Sequence, residues 1–512
     1  MKKLFTLLTI FSSLILAESK PNIIYILADD MGYGDVKAYN PDCKFPTPHL
    51  DSLAQNGMMF TDSHTNSSVC TPTRYGIMTG RYAWRTRLKD GVQNGYGASL
   101  IEPDRMTLAS LLKSQGYNTA CIGKWHIGMD WALTSGSSAK AKGDNVDHTT
   151  PIKNGPVDVG FDYYFGLAGS LGMPPHCFIE NRNLISELDV IHKDKKGTNK
   201  KLHSCRPGFA SSDFDVFQVL NQVTDKAVDY IEKNAKKEKP FFLYFPLNAP
   251  HAPVTPHKDF QAKSNINAYA DFCMEVDWRV GQIIKSLKEQ NIFDNTLIIF
   301  TTDNGCSGTA KIDQLLAVGH NPSAHFRGIK GNLYEGGHRV PFLVQWPKAI
   351  KAGSVSDQTI CTTDFLATLA DMNNLELKDN QGEDSVSFYP ALMGQNIDTT
   401  QRTAIIHHSD QGKFAIRQNK WVLVMDPHAG SKRKDGFSTP VKNPAAIQLF
   451  DLDQDPSQTI NLQHQNPEIV SRMKKQLMSI IDNGRSTPGQ AQKNDPGKKG
   501  WAHYDELIEK IN

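Results

Sequence analysis

Short apolar runs that alternate with amphipathic helical stretches constrain this chain more than any other feature. Residues 22–28, NIIYILA, are apolar and often β-branched. A strand of that kind is buried on both faces, as in a parallel sheet. Residues 47–57, TPHLDSLAQNG, read as a helix with a glycine stop, and TLASLLKSQG at 107–116 repeats the pattern before NTACIG returns as a strand. Residues 215–235 read as a long amphipathic helix, followed by the strand PFFLYFPL. A helix over 269–290 leads into the strand TLIIFTT at 296–302, and PFLVQWP at 341–347 is one more strand. Alternation sustained over roughly 350 residues predicts an α/β fold, with a large mixed, mainly parallel sheet sandwiched by helices.

The pattern changes after residue 385. KFAIRQNKWVLVMD and AIQLFDLDQDP read as antiparallel strands with turns, and PEIVSRMKKQLMSIIDNG as a helix. The expected organisation is a main domain over 20–385 and a smaller C-terminal α+β subdomain over 386–512. The polar, lysine-rich stretches 132–158 and 183–210 read as surface insertions. At the start, MKKLFTLLTIFSSLILAES has a lysine-bearing head and an apolar run too short for a comfortable membrane span. It reads as a signal peptide over 1–19, cleaved near residues 17–19. The mature chain is then expected in the periplasm or outside the cell, with no membrane anchor. With 56 Lys and Arg against 54 Asp and Glu, the formal charge of +2 does not advertise nucleic-acid binding. Eight cysteines in 512 residues are too sparse for a disulfide-built scaffold, although Cys177 and Cys205 flank a polar insert and leave a bridge open.

Two strands run straight into acids. NIIYILA ends in Asp29-Asp30, and TLIIFTT in Asp303-Asn304-Gly305. Ligands of open α/β sheets sit beyond the carboxyl ends of the strands. Oxygen side chains from two such ends suit a hard cation, calcium or magnesium rather than zinc. Each pair alone also fits a turn or a helix cap. Polar clusters follow other strands: Gly123-Lys124-Trp125-His126, Ala249-Pro250-His251, and Arg327-Gly328-Ile329-Lys330 ahead of Glu335. Lysines, histidines and an arginine around one cation would form a receptor for a tetrahedral oxyanion.

The stretch SSVCTPTRYGIMTGRY then has a place. Cys70-Thr71-Pro72-Thr73-Arg74, followed by Thr79-Gly80-Arg81, resembles the signature of type I sulfatases, in the alkaline-phosphatase-like superfamily. The resemblance extends to Asp29-Asp30-Met31-Gly32-Tyr33-Gly34-Asp35, the GKWHIG and APH stretches, Asp303-Asn304-Gly305 and QLFDLDQDPSQTINL, covering nearly the whole mature chain. It implies an alkaline-phosphatase-like fold and hydrolysis of sulfate monoesters. It also implies that Cys70 is oxidised to formylglycine by a formylglycine-generating or anaerobic sulfatase-maturating enzyme. The hydrated aldehyde carries two hydroxyls: one attacks sulfur as the alcohol leaves, and the other loses its proton and expels sulfate. By the same resemblance Asp29, Asp30, Asp303 and Asn304, with modified Cys70, hold one calcium ion. Arg74 and Lys124 polarise the hydroxyls, His126 takes the second proton, and His251 and Lys330 meet the sulfate. His251 is the leading candidate for protonating the departing alcohol.

Exported members of this family point to a sulfated carbohydrate partner, such as ulvan, a carrageenan-type galactan or fucoidan. Gly169-Ser170-Leu171-Gly172-Met173-Pro174-Pro175-His176, with Glu180, Asn181 and Arg182, resembles segments of sulfatases from marine polysaccharide degraders, and reads either as a sugar-binding wall or as a plain surface loop. His176, Arg206 and Arg327 are the substrate candidates. Competing expectations are a phosphonate monoester or phosphodiester hydrolase of the same superfamily, a choline-sulfate-type enzyme, and a non-catalytic sulfated-glycan-binding protein.

Overall fold

The computed structural model describes residues 20–193, 199–431 and 444–496. The signal-peptide expectation over 1–19 and the last sixteen residues, 497–512, lie outside the described residues. A ten-stranded mixed sheet organises the main body. Its centre is five parallel strands in the spatial order Thr296–Thr302, Asn22–Asp29, Phe241–Pro250, Asn118–Lys124 and Tyr163–Leu167. Phe342–Gln345 pairs antiparallel with Thr296–Thr302, followed outward by Met58–Phe60 and Ser354–Ser356. Ile179–Glu180 and Asn183–Leu184 extend the opposite edge.

The strand Asn22–Asp29 feeds two separate cores. Ile24, Ile26 and Ala28 face one layer, where Leu50 and Leu53 of Pro48–Asn56, Val223 and Ala227 of Val219–Asn234, and Val276 and Val280 of Ala268–Glu289 are buried. Ile23, Tyr25 and Leu27 face the other, with Ile77 and Met78 of Cys70–Thr79, Leu111 of Leu108–Ser114 and Leu369 of Phe365–Met372. Two apolar layers explain why the run lacks polar alternation. The helix expected over 215–235 begins at Val219, because residues 211–218 first form turns.

A four-stranded antiparallel sheet follows, Ile405–His408, Phe414–Gln418, Trp421–Val424 and Gln448–Asp451. One face packs on helix Pro467–Asp482 through Ile416 and Leu423 against Met473 and Leu477, joined by Tyr82 and Trp84 from the main body. The other face, with Ala415, Val422 and Phe450, buries Leu333 and Tyr334, just beyond Lys330. The stretch 183–210 is less peripheral than its composition suggests. It forms a hairpin of Val190–His192 and Gly208–Ala210, buries Leu202 and Cys205, and returns Arg206 toward the carboxyl ends of the main strands. Cys177 and Cys205 do not bridge, and all eight cysteines are free and buried.

Candidate active site

The central strands deliver their last residues to one end of the sheet. Asn22–Asp29 brings Asp29 and Asp30, Asn118–Lys124 brings Lys124 and His126, Phe241–Pro250 brings His251, and Thr296–Thr302 brings Asp303 and Asn304. Cys70 arrives as the first residue of helix Cys70–Thr79, whose every residue is buried, and Arg74 lies one turn further on. Gly123 (φ +130°) is required here: a Cβ would sit 2.0 Å from the Pro246 carbonyl oxygen. Its absence lets two strands approach where Lys124 and His251 leave the sheet.

Lys124 Nζ donates to Asp29 Oδ2 at 2.6 Å. Arg74 donates through Nε and Nη2 to Asp303 Oδ2 at 2.9 and 2.7 Å, and through Nη1 to the Lys124 carbonyl at 3.1 Å. Lys330 Nζ bonds Asp30 Oδ1 and lies 3.1 Å from Cys70 Sγ. Asn304 Nδ2 donates to the same Asp30 oxygen at 2.7 Å, and His251 Nε2 stands 3.7 Å from the other. Asp30 (φ +67°) and His126 (φ +58°) hold left-handed backbone that non-glycine residues seldom adopt. Asp30 is fixed by its N–H donating to Asp303 Oδ1 at 3.2 Å, and His126 by Nε2 at 2.8 Å from the Gln93 carbonyl. The ten residues expected to share a site therefore do converge.

Charge balance sets their states. Burial opposes ionisation of Asp29, yet Lys124, His251, Arg74 and Lys330 outweigh it and hold the carboxyl well below its ordinary range. Burial, reinforced by Asp29, pushes Asp303 up to about 6 despite Arg74. The Cys70 thiol is pushed up to about 11 by burial, against the pull of Lys124 and Lys330. Such a thiol is not an activated nucleophile. Burial also lowers His126 well below the usual imidazole range and His251 to about 4. The Gln93 contact places the His126 proton on Nε2, so Nδ1, buried and without a hydrogen-bond partner, presents a lone pair.

The donor set suits a hard cation. Asp29 Oδ1 and Asn304 Oδ1 are buried and make no hydrogen bond, and single ligand atoms of Asp29, Asp30, Cys70 and His251 lie within 4.8 Å of one another. Oxygen-dominated donors of that kind favour calcium or magnesium.

The site opens into a cleft of about 490 Å³. Ser170, Gly172 and Met173 line one wall, and Arg206 stands exposed beside them. His176 is corrected. It is fully buried beneath that wall rather than at its rim, with Nε2 2.9 Å from the Arg206 carbonyl, so it shapes the loop that carries Arg206. Arg327 is also corrected. Its Nη1 donates to the Gln458 carbonyl at 3.0 Å and its guanidinium covers the Tyr334 ring at 4.0 Å, which turns it toward the C-terminal sheet. Gln93 and Asp410 carried no signal in the sequence. Gln93 acts through its carbonyl, which any residue type supplies, and Asp410 reaches the cleft from the C-terminal sheet.

This scaffold and this cluster define a hydrolase of alkaline-phosphatase-like fold, built to receive a tetrahedral oxyanion. The chain belongs to the sulfatase family, whose model matches residues 21–374, and is a sulfuric ester hydrolase. A second model, for the C-terminal part of N-sulphoglucosamine sulphohydrolase, matches residues 328–483. The chain is 31% identical to an N-acetylgalactosamine-6-O-sulfatase of Bacteroides thetaiotaomicron, over 90% of this chain and 93% of that one. It is 29% identical to human steryl-sulfatase, over 78% and 74%. A Bacteroides thetaiotaomicron structure from work on the metabolism of multiple glycosaminoglycans superposes with TM-score 0.77 at 28% identity, covering 90% of this chain and 99% of that one.

Proposed function

We propose that this protein is an exported sulfatase that removes sulfate from a sulfated oligosaccharide or polysaccharide, with formylglycine made from Cys70 and with calcium. The observation that carries the reading is Cys70 itself: a free, unactivated thiol at the focus of three carboxylates, an amide, two lysines and an arginine. Its Sγ stands where the formylglycine oxygens would be. Hydrated formylglycine would supply one hydroxyl for attack on sulfur and a second whose proton loss frees sulfate. Asp29, Asp30, Asp303 and Asn304 would hold calcium, which would neutralise the carboxylates and attract a sulfate oxygen.

The chain's own side chains supply the rest. Arg74 and Lys124 fix Asp303 and Asp29 by direct ion pairs, so the acids keep their positions when the anionic ester enters. Lys330 faces residue 70 and receives sulfate charge. His126 Nδ1 takes a proton from residue 70. His251 Nδ1 lies 2.5 Å from the Ala252 carbonyl and Nε2 faces the site, so Nε2 is the atom that hands a proton to the departing alcohol. Burial lowers His251 to about 4, and the negative charge of the bound ester favours its protonated form.

The carbohydrate reading is supported by the wall of Ser170, Gly172 and Met173 with the exposed Arg206 cation, and by the name of the bacterial relative. Sulfate release across defined oligosaccharides tests it: N-acetylgalactosamine 6-sulfate beside ulvan, carrageenan and fucoidan fragments. Phosphonate monoesters and phosphodiesters belong in the same panel. Faster hydrolysis of those than of every sulfate ester would overturn the assignment.

A further inference from the structure

His64, His338 and His407 form a buried cluster outside the active site. They come from the short strand Ser63–His64 that leads toward Cys70, the turn of helix Glu335–His338 beyond Lys330, and the strand Ile405–His408 of the C-terminal sheet. None is exposed to solvent. Each ring has one nitrogen beside a fixed oxygen acceptor. His64 Nε2 is 2.9 Å from Asp62 Oδ1, His338 Nε2 3.1 Å from the Leu333 carbonyl, and His407 Nδ1 3.0 Å from the Thr65 carbonyl. Protons on those nitrogens leave lone pairs on His64 Nδ1, His338 Nδ1 and His407 Nε2. The first two face each other at 3.1 Å, and His407 Nε2 is buried without a hydrogen-bond partner. Facing lone pairs repel unless a cation or a proton lies between them.

We propose that His64, His338 and His407 together bind a first-row transition-metal ion, of which zinc is the fitting case, at the seam between the main sheet and the C-terminal sheet. Candidate ligand atoms of the three residues lie within 4.8 Å of one another. Zinc–nitrogen bonds of ~2.0–2.1 Å set tetrahedral ligands roughly 3.3 Å apart. The His64–His338 pair is already near that separation. The His338 and His407 rings stack at 3.7 Å with 9° between planes, so to ligate His407 must tilt out of the stack about its Nδ1–Thr65 contact, and its Nε2 has no hydrogen bond to give up. A carboxylate or carbonyl behind each ring is the outer arrangement of histidine metal sites. Asp62 and Glu335 bring negative charge alongside, shared with Arg339 and Arg417, and Glu335 Oε1 is buried without a hydrogen-bond partner.

One contact points the other way. Arg417 Nη1 lies 2.5 Å from His64 Nε2. If Arg417 donates there, the His64 proton moves to Nδ1 and is shared with His338, and no metal is held. Zinc content separates the two arrangements. Because the cluster is sealed, the ion enters as the chain folds, and later dialysis against EDTA leaves it in place. The full chain carrying Asp303→Ala, Cys70→Ala and His251→Ala, which strips the active-site cluster of its thiol and imidazole donors, is produced with zinc supplied, dialysed and assayed for metal. One zinc per chain is expected, lost in a further His407→Gln variant. Should that variant fail to fold, cobalt(II) supplied in place of zinc to the parent chain is read by X-ray absorption, with imidazole scattering expected. A zinc-free parent, zinc retained by folded His407→Gln, or cobalt without imidazole neighbours would each overturn the site.

Discussion

Lys330 joins Cys70 to Asp30: its ammonium lies 3.1 Å from Sγ and also bonds the carboxylate. One cation thus links the residue proposed to be modified with a proposed metal ligand, through a contact between positions 260 residues apart. Active protein should therefore carry formylglycine at position 70, read by peptide mass spectrometry. Cys70→Ala should abolish turnover. Cys70→Ser should fold and bind or trap sulfate ester without multiple turnover. Full activity with an intact Cys70 thiol would remove the mechanism.

Chelation should reduce sulfate release, and calcium should restore it. Asp303→Ala should lose bound calcium and activity together. Arg74 touches Asp303 from behind, so Arg74→Ala should weaken calcium binding by about 10–100-fold, the range for outer-shell partners. Calcium titration of each variant, with thermal melting as a folding control, checks both. Undiminished activity in the stripped protein would refute the calcium assignment.

The two histidines should separate by leaving group. Proton donation is worth ~10²–10⁴-fold to a sugar alcohol and far less to an activated phenol. His251→Ala should therefore impair sulfated oligosaccharides much more than an activated aryl sulfate. His126→Ala should slow the shared release of sulfate for both. Equal losses in the His251 variant would reduce that residue to a sulfate contact.

Stability should show its own pH signature at Asp277. Burial pushes this carboxyl up to about 7, although it accepts from the Leu50 and His49 N–H groups at 2.8 and 3.0 Å. The folded value lies above the unfolded ~3.9, so the unfolded chain releases its proton first. The contribution is complete below pH ~4 and is lost as pH rises through about 7. Asp277→Asn keeps an acceptor for the helix Pro48–Asn56 and removes the titration. Its melting temperature should fall less steeply from pH 4 to 8 than that of the parent. Parallel curves would show that Asp277 carries no such linkage.

Much of this was legible from residues alone. The apolar run at 22–28 announced a central strand because both its faces meet apolar layers, and Asp29-Asp30 and Asp303-Asn304 drew notice because each follows the carboxyl end of a strand, where ligands of open α/β sheets sit. What stayed hidden depends on long-range placement. His176 and Arg327 are polar residues in loop-like sequence, yet one is sealed under a hairpin and the other lies on Tyr334. Nothing local distinguishes a histidine at a rim from one beneath it. Gln93 was invisible because its contribution is a carbonyl oxygen.

The doubly apolar strand Asn22–Asp29 has a consequence for any inactive variant. Shifting a strand by one residue exchanges its two faces, and here both sets of side chains are oily, so hydrophobicity alone polices such an error weakly. The charged end is the stricter checkpoint. Moving Asp29 one position along the sheet would tear it from Lys124 and strand a buried charge. At the opposite end Asn22 Oδ1 accepts from the Phe241 N–H at 3.0 Å, a second stop. The groups proposed to handle the ester are thus also the ones whose ion pairs fix the alignment of the central strand, so removing their charges should loosen that alignment along with the reaction.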